Sequence, residues 1–354
     1  QGDAGSATLT VSVVGVPTVI GLADGTVIGT DGSVREAGLA GGTQAGDGSN
    51  GVADSFVLVS PAFGVQSLTL TAGASTLTLT EAQLLGLSGS PQSIATAAGQ
   101  FTLTGYDATS GQVSYTYTLN SPGTIGTDTI TVSLRDTANN VTPPKNLSIA
   151  IVEDAPIAHS DSATARMPGV TDQGSTAAVN PQGNVFAGSD GSDGQAVGAG
   201  RDFIGADGSA APNVFVTGVA AGSATTPVNG AVGTAVVGAY GTVSIAADGH
   251  YSYAIDPANA ALRALPGGQS VLETFSYTIT DADGNTATAE LRIQVFGGND
   301  APVANPDTGT TDQNTVFSGN AIVGDGLTQA GADADADQSA SLSDSVLVLS
   351  LIHI

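Results

Sequence analysis

The feature that most limits how this chain can fold is an internal repeat of two alternating segments. Apolar residues alternate with polar or small residues in 130–134 and again in 147–151. The same pattern returns in residues 275–279 and 291–295. A period of two residues is typical of a strand with one buried face. Each copy of the repeat therefore predicts a β-hairpin.

Short turn sequences separate the predicted strands. Asn139-Asn140 lies between the strands of the first copy and Asp283-Gly284 between those of the second. Asn, Asp and Gly tolerate the left-handed backbone of tight hairpin turns. Helical signal is confined to residues 81–87 and 258–265, and each of these segments predicts a turn or two of helix. Many short strands with Gly and Asp turns indicate an all-β fold of β-sandwich modules.

The charge of the chain limits its partners. The sequence has 7 Lys and Arg against 32 Asp and Glu, which gives a net charge of -25. Nucleic acid and anionic membrane surfaces repel such a chain, so neither is expected as a partner. Bound cations would offset part of the repulsion within the chain. Apolar residues make up 41%, which is enough for several small cores and argues against disorder.

The residue types needed for catalysis do not occur in the required patterns. Cysteine is absent, which excludes disulfides, thiol chemistry and zinc sites of the cysteine type. The histidines, His159, His250 and His353, do not have the paired spacing of a metal-ligand motif. The sequence contains no Gly-x-Ser-x-Gly elbow and no apolar run of membrane-spanning length. We therefore expect no enzyme and no membrane insertion within this chain.

Two proline junctions divide the chain into expected modules. Asp154-Ala155-Pro156 and Asp300-Ala301-Pro302 each follow the second strand of a repeat. Proline fixes its own φ and holds the preceding residue extended, so each junction is expected to be short and stiff. The expected order is the last strand of a preceding module in 1–16, β-sandwich modules in 17–155 and 156–301, and an incomplete third module in 302–354. The tail from about residue 349 resembles translated sequencing-adapter sequence, the alternative being a buried strand.

Two blocks of the sequence resemble repeats of secreted bacterial proteins. Residues 240–304, which run from Tyr-Gly-Thr-Val-Ser-Ile to Asn-Asp-Ala-Pro-Val-Ala, resemble the VCBS repeat. The junction at its end resembles those of giant type I-secreted adhesins and RTX-type proteins, and residues 24–158 are similar to another repeat of such proteins. The resemblance implies tandem Ig-like or cadherin-like β-sandwich modules in an extended array. It also implies export by a type I system and a role in adhesion or biofilm formation at the bacterial cell surface.

Residues 183–233 depart from the family pattern. The segment is unusually long for such a module and is rich in Gly and Ala. We expect it to form a large loop or a poorly formed opening strand.

Acidic residues cluster at the two junctions and indicate calcium sites. Calcium takes six to eight oxygen ligands from carboxylates, amides and carbonyls. The candidate ligands are Asp136, Glu153, Asp154 and Asp161 at the first junction and Asp281, Asp283, Asn299, Asp300 and Asp307 at the second. Cations bound there would cross-bridge consecutive modules and stiffen the junction, as in cadherin-like linkers. The alternative is that these residues form solvated Asx turns.

The predicted function is that of a structural spacer. Consecutive modules of a secreted surface adhesin, stiffened by Ca²⁺, would project a terminal binding domain from the cell. The expected partners are neighbouring modules of the same chain and a glycan or protein of the host or matrix. The alternatives are a module that itself binds a glycan or protein, and an accessory region of a secreted hydrolase. Tyrosines that could line a sugar site alternate with Thr and Ser, which favours core or cross-strand positions; they are Tyr106, Tyr115, Tyr117, Tyr251, Tyr253 and Tyr277.

Overall fold

The computed structural model describes residues 18–20, 32–59, 64–123, 126–171, 174–187, 200–265 and 268–298, and the single positions 308, 310 and 312. The chain divides into two compact units. The first comprises residues 1–155 and 204–208, and the second residues 156–203 and 209–354. Residues 204–208 thus belong to the first unit although they lie within the sequence of the second. The predicted segment 1–16 lies outside the described residues, as does the predicted third module except for Thr308, Thr310 and Asp312.

The first unit contains two five-stranded sheets. Its strands are β1 (Thr18–Ile20), β2 (Ser33–Arg35), β3 (Gly51–Val59), β4 (Val65–Ala72), β5 (Ser75–Thr80), β6 (Gln92–Ala95), β7 (Gly99–Asp107), β8 (Gln112–Leu119), β9 (Gly126–Asp136) and β10 (Lys145–Val152). One sheet has the order β1-β3-β8-β7-β6 and the other β2-β10-β9-β4-β5. All neighbouring strands are antiparallel except β2 and β10, which are parallel. A one-turn 3-10 helix, Glu36–Gly38, follows β2, and helix α1 (Glu81–Leu85) follows β5.

Alternating side chains from both sheets fill one continuous core in the first unit. Ile130, Val132 and Leu134 of β9 are fully buried, whereas Thr131 and Ser133 between them are only partly buried. The same alternation forms the hairpin β4–β5, in which Leu68 faces Leu79 and Leu70 faces Leu77. Period-two alternation therefore sets which face of each strand is buried.

The second unit contains two four-stranded sheets and a short hairpin. Its strands are β11 (Asp161–Arg166), β12 (Gly169–Thr171), β13 (Gly174–Thr176), β14 (Gln182–Asn184), β15 (Val216–Ala221), β16 (Val236–Val237), β17 (Gly241–Ile245), β18 (His250–Ile255), β19 (Ser270–Thr280) and β20 (Thr286–Phe296). The sheets have the orders β11-β20-β19-β15 and β14-β18-β17-β16, and β12 pairs with β13. One pair of strands is parallel here too, since β11 pairs parallel with β20 as β2 does with β10 in the first unit. Helix α2 (Ala260–Arg263) follows β18, so both predicted helical segments are confirmed.

The Gly- and Ala-rich segment 183–233 contributes a strand to the second unit and a stretch of backbone that packs over β19. Strand β15 lies within it, and residues 222–230, which we term the covering segment, follow that strand. The amides of Ala224 and Val228 donate to the buried hydroxyls of Ser276 (2.8 Å) and Thr278 (2.9 Å) on β19. Strand β19 is therefore buried on both faces between residues 275 and 279. The segment is a structured part of the sandwich at these positions rather than a large loop.

A buried hydrogen bond between a tyrosine and a carboxylate joins the two sheets of each unit. The Tyr117 hydroxyl of β8 donates to Asp128 Oδ2 of β9 over 2.7 Å. In the second unit the Tyr253 hydroxyl of β18 donates to Glu273 Oε2 of β19 over 2.5 Å. Burial and the neighbouring carboxylate raise the pKa of both tyrosines far above the usual range, so both hydroxyls keep their protons. Asp128 and Glu273 also open the two copies of the sequence repeat.

Candidate functional site

Three carboxylates meet in the first unit. Glu36, Glu153 and Asp207 each present a carboxylate oxygen, and these oxygens lie within 4.8 Å of one another. Arg35 at the end of β2 is paired with Val152 at the end of β10. Because β2 and β10 are parallel, the residues that follow them leave the same edge of the sheet side by side. The topology thus brings Glu36 next to Glu153, and residues 204–208 add Asp207.

The carboxylate cluster is shielded from solvent. Glu36 is fully buried, whereas Glu153 and Asp207 are partly buried. One oxygen of each side chain is nevertheless removed from solvent: Oε2 of both glutamates and Oδ2 of the aspartate. The other oxygen of Glu36 accepts a hydrogen bond from the amide of Gly123 at 3.1 Å. Charges removed from water are normally paired or bound to a metal ion, and this arrangement offers oxygen ligands to a hard cation.

Asp154 fastens the segments around this cluster. Its Oδ2 accepts hydrogen bonds from the amides of Thr43 (2.9 Å) and Ala206 (3.0 Å). Its Oδ1 accepts from the Thr43 hydroxyl. Residue 205 approaches so closely that a Cβ there would lie 2.2 Å from the Asp154 carbonyl oxygen, and its φ is +90°. Glycine at 205 is therefore required for residues 204–208 to reach Asp154 and present Asp207.

Asp136 and Asp281 occupy equivalent hairpin turns. Asp136 Oδ1 accepts from the amides of Ala138 and Asn140, and its Oδ2 accepts from the Asn140 side chain at 2.8 Å. Asp281 Oδ1 likewise accepts from the amides of Asp283 (3.1 Å) and Asn285 (2.8 Å), and its Oδ2 accepts from the Asn285 side chain. Burial raises the pKa of Asp136, but these hydrogen bonds outweigh it and hold that pKa below its usual value. Both aspartates therefore close turns, and both are buried, whereas the alternative interpretation expected solvated turns. Calcium binding by these two residues stays a prediction.

The other candidate ligands are distributed as follows. Asp161 is buried in the second unit, where its Oδ2 lies 3.0 Å from the Tyr277 hydroxyl. Asp283 is exposed on the turn after β19. Asn299, Asp300 and Asp307 lie outside the described residues. Of the four residues predicted for the first junction, the structure brings Glu153 into the carboxylate cluster and Asp154 beside it.

Sequence reasoning missed Glu36 and Asp207 as members of the cluster. Glu36 belongs to the motif Val34-Arg35-Glu36, which carries part of the family resemblance but no metal-ligand spacing. Asp207 lies far along the chain and reaches the cluster through residues 204–208. The one usable signal for Asp207 is its place in an Asp-Gly pair, which the chain repeats at many turns.

Neither of the two histidines that the structure describes belongs to the carboxylate cluster. His159 Nδ1 lies 3.0 Å from the carbonyl oxygen of Arg201, and the exposed His250 lies 3.0 Å from Asp248 Oδ2. Among the described residues, no helix combines the length and the apolar character needed to span a bilayer.

The tyrosines discussed as a sugar site are mainly core residues. Tyr115, Tyr117, Tyr251, Tyr253 and Tyr277 are all buried, and Tyr106 is partly buried. Their predicted core position is thus confirmed for five of the six.

Comparison with known proteins supports the fold. Residues 153–294 match the family model of a bacterial Ig domain. No curated protein matches the sequence. Together with the sheet topology, the match shows that the chain consists of Ig-like β-sandwich modules.

Solved structures that resemble this chain include a titin, a bacterial adhesin and a protocadherin, all at low sequence identity. The titin domains Z1Z2 in complex with telethonin are 11% identical, with 81% of this chain and 99% of that chain covered and a TM-score of 0.27. The SrpA adhesin from Streptococcus sanguinis is 11% identical, with 78% and 93% covered and a TM-score of 0.26. Extracellular cadherin domains 3–6 of protocadherin gamma B2 are 11% identical, with a TM-score of 0.25. That alignment covers 82% of this chain and 53% of the protocadherin chain, so the chain spans about half of it.

Proposed function

We propose that this chain is a spacer segment of a secreted bacterial surface adhesin. The observation that carries the proposal is the repetition of one architecture. Each unit has a tyrosine–carboxylate hydrogen bond between its sheets, and in each unit an early strand pairs parallel with the strand of the second hairpin arm, β2 with β10 and β11 with β20. Repeated modules of this kind serve by extending a surface protein rather than by forming one unique site. The VCBS-like and RTX-like resemblance supports type I secretion and a role in biofilm formation as part of the same proposal.

The proposal includes calcium bound by Glu36, Glu153 and Asp207. Calcium–oxygen distances of about 2.3–2.6 Å place two ligands of one ion no more than about 5 Å apart. The three oxygens all lie within 4.8 Å of one another, which meets this condition. An ion at this position would offset the repulsion between three carboxylates. With Asp154 tying Thr43 to Ala206 beside it, the ion would stiffen the junction end of the first unit.

The occupancy of this calcium site would differ between the inside and the outside of the cell. Extracellular calcium modules bind with dissociation constants of about 10⁻⁴ to 10⁻³ M. Such a site would be empty inside the cell and filled outside it. Calcium would then stabilise the folded module only after export.

Adding calcium to the full chain is expected to raise the thermal stability of the first unit. At about ten times the dissociation constant the gain is about 1.4 kcal/mol, which corresponds to a rise in Tm of about 3 °C. The substitution Glu153→Gln should remove most of this rise. In the presence of chelator the same variant should be at least as stable as the parent protein, because it relieves carboxylate repulsion. Differential scanning calorimetry with calcium and with chelator measures both effects.

The matched control is Glu81→Gln, which removes a glutamate at the start of α1 and should leave the calcium-dependent rise intact. If the parent chain has the same Tm in calcium and in chelator, calcium does not bind to the carboxylate cluster as proposed.

The spacer role has its own test in small-angle X-ray scattering of the full chain, where a longer and stiffer particle is expected with calcium. A compact particle under both conditions would contradict that role.

A further inference from the structure

A short stretch of the chain passes back into the first unit after the second has begun. The chain changes from one unit to the other after residue 155, again after residue 203 and a third time after residue 208. The returning stretch, residues 204–208, reads Ile-Gly-Ala-Asp-Gly, and we term it the inserted segment. The first unit is therefore built from two separate parts of the sequence.

A buried carboxylate holds the inserted segment in the first unit. Asp154 is 4% exposed, and its Oδ2 accepts hydrogen bonds from the amides of Ala206 at 3.0 Å and Thr43 at 2.9 Å. Thr43 lies between the 3-10 helix and β3. Hydrogen bonds to a charged acceptor are among the stronger ones in proteins. One side chain thus joins the inserted segment to a distant loop of the first unit.

The central residues of the inserted segment fit the first unit in three different ways. Gly205 is buried, and a Cβ at this position would lie 2.2 Å from the carbonyl oxygen of Asp154. Ala206 packs against the hydrophobic core of the first unit. Asp207 places its side chain in the carboxylate cluster. The contact therefore requires a glycine, a small apolar residue and an acidic residue at three successive positions.

The change from one unit to the other takes place within very few residues. Phe203, immediately before the inserted segment, exchanges two backbone hydrogen bonds of 2.8 Å with Ile157, and both residues belong to the second unit. Within the inserted segment the amide of Gly208 donates to the carbonyl oxygen of Gly205 at 3.2 Å. This hydrogen bond closes a turn, after which the chain returns to the second unit.

We propose that the end of the first unit around Asp154 and Thr43 is a docking surface whose partner is the inserted segment, so that the first unit reaches its full stability only when a segment of the following module is bound there. The sequence 1–155 carries both sheets of the first unit but not the segment that completes it. Neighbouring repeats of this kind gain stability from one another as well as from their own cores. The inference depends neither on the spacer role nor on bound calcium.

Amide hydrogen exchange of the full chain, with chelator present throughout, tests which unit protects the inserted segment. Amides that open with one cooperative unit lose protection together when that unit is destabilised. Tyr117→Phe removes the buried tyrosine hydrogen bond of the first unit and Tyr253→Phe that of the second, so the two variants are matched. In Tyr117→Phe the Ala206 amide should lose protection by the same factor as β9 and β10, about 100-fold for a loss of about 3 kcal/mol. In Tyr253→Phe the Ala206 amide should be unchanged, whereas the Phe203 amide should lose protection with β19 and β20.

A substitution in the inserted segment should in turn destabilise the first unit. Gly205→Ala brings a Cβ against the Asp154 carbonyl oxygen at a residue whose φ is +90°. The matched control is Gly208→Ala, where φ is +66° and the described residues place no atom within 4 Å of the Cβ. The control carries the backbone strain without the clash. Protection of β9 and β10 should therefore fall about tenfold further in Gly205→Ala than in Gly208→Ala, and protection of β19 and β20 should be the same in both.

Two outcomes would overturn the proposal. One is an Ala206 amide that follows β19 and β20, or that keeps its protection when β9 and β10 lose theirs. The other is equal protection of β9 and β10 in the two glycine variants, which would show that the first unit is complete without the inserted segment. If a variant does not fold, the denaturant dependence of exchange in the parent chain decides, because the Ala206 amide should then merge with β9 and β10 and the Phe203 amide with β19 and β20. All measurements are made in chelator, so failure of the calcium proposal leaves these outcomes unchanged.

Discussion

Replacing Tyr253 with Phe is expected to lower the free energy of unfolding of the second unit by about 3 kcal/mol. The Tyr253 hydroxyl donates to Glu273 Oε2 over 2.5 Å, and Glu273 is only 4% exposed. The substitution removes one donor and leaves a carboxylate oxygen inside the sandwich without it. Breaking a buried charged hydrogen bond costs more than the bond itself contributes, because the remaining group cannot regain water. Urea denaturation followed by tyrosine fluorescence measures the loss in this tryptophan-free chain.

The double variant Tyr253→Phe with Glu273→Leu tests the cause of that loss. Removing both polar partners of a buried hydrogen bond costs far less than removing one, so the double variant should recover much of the stability. Tyr117→Phe should produce a corresponding loss in the first unit, where the amide of Ala98 also donates to Asp128 at 3.3 Å. A loss below about 0.5 kcal/mol for Tyr253→Phe would show that the hydrogen bond to Glu273 does not stabilise the second unit.

The substitution Gly218→Ala is expected to destabilise the second unit by about 3 kcal/mol, the upper end of ordinary overpacking costs. A Cβ at this position would lie 1.8 Å from the carbonyl oxygen of Val228 and 2.3 Å from its carbon. Backbone atoms cannot rotate away as a side chain can, so the covering segment at 222–230 must move. Ser276 and Thr278 would then lose the amide donors that cover them. Calorimetry measures the stability, and hydrogen exchange at 222–230 localises the change.

Gly64→Ala is the control for this prediction, because no atom lies within 4 Å of a Cβ at that position. It should change stability by less than about 0.5 kcal/mol. Normal protection of residues 222–230 in Gly218→Ala, together with an unchanged Tm, would show that the covering segment does not depend on close approach at Gly218.

Much of the fold is predictable from local periodicity. Alternation of apolar and polar residues identified the strands of the hairpins β9–β10 and β19–β20. The turn residues between the strands predicted where the chain reverses, since Asp and Asn tolerate the left-handed backbone conformation of tight hairpin turns. The covering segment was not predictable, because its contacts are backbone amides that donate to Ser276 and Thr278. Such contacts leave no pattern in the residues that make them.

The carboxylate cluster was only partly predictable for a topological reason. Glu153 was identified from its place beside a proline junction. Its neighbour Glu36 is distant in sequence and depends on the parallel pairing of β2 with β10, and Asp207 depends on residues 204–208. Asp136 shows a second difficulty. An aspartate that closes a turn has the same local sequence as one that binds a cation, so the sequence alone does not distinguish the two roles.

The parallel pairing of β11 with β20 has a mechanical consequence. In the second unit β11 is the first strand and β20 the last described one, and Asp161–Arg166 is paired in register with Leu291–Phe296. Tension applied along the chain therefore pulls these strands past each other and loads their hydrogen bonds together rather than one at a time. In the first unit the parallel pairing joins only Ser33–Arg35 to Ala150–Val152, and β1 precedes it in the chain. A steady pull on the two ends of the β11–β20 pair in the second unit should therefore meet the resistance of six paired residues at once.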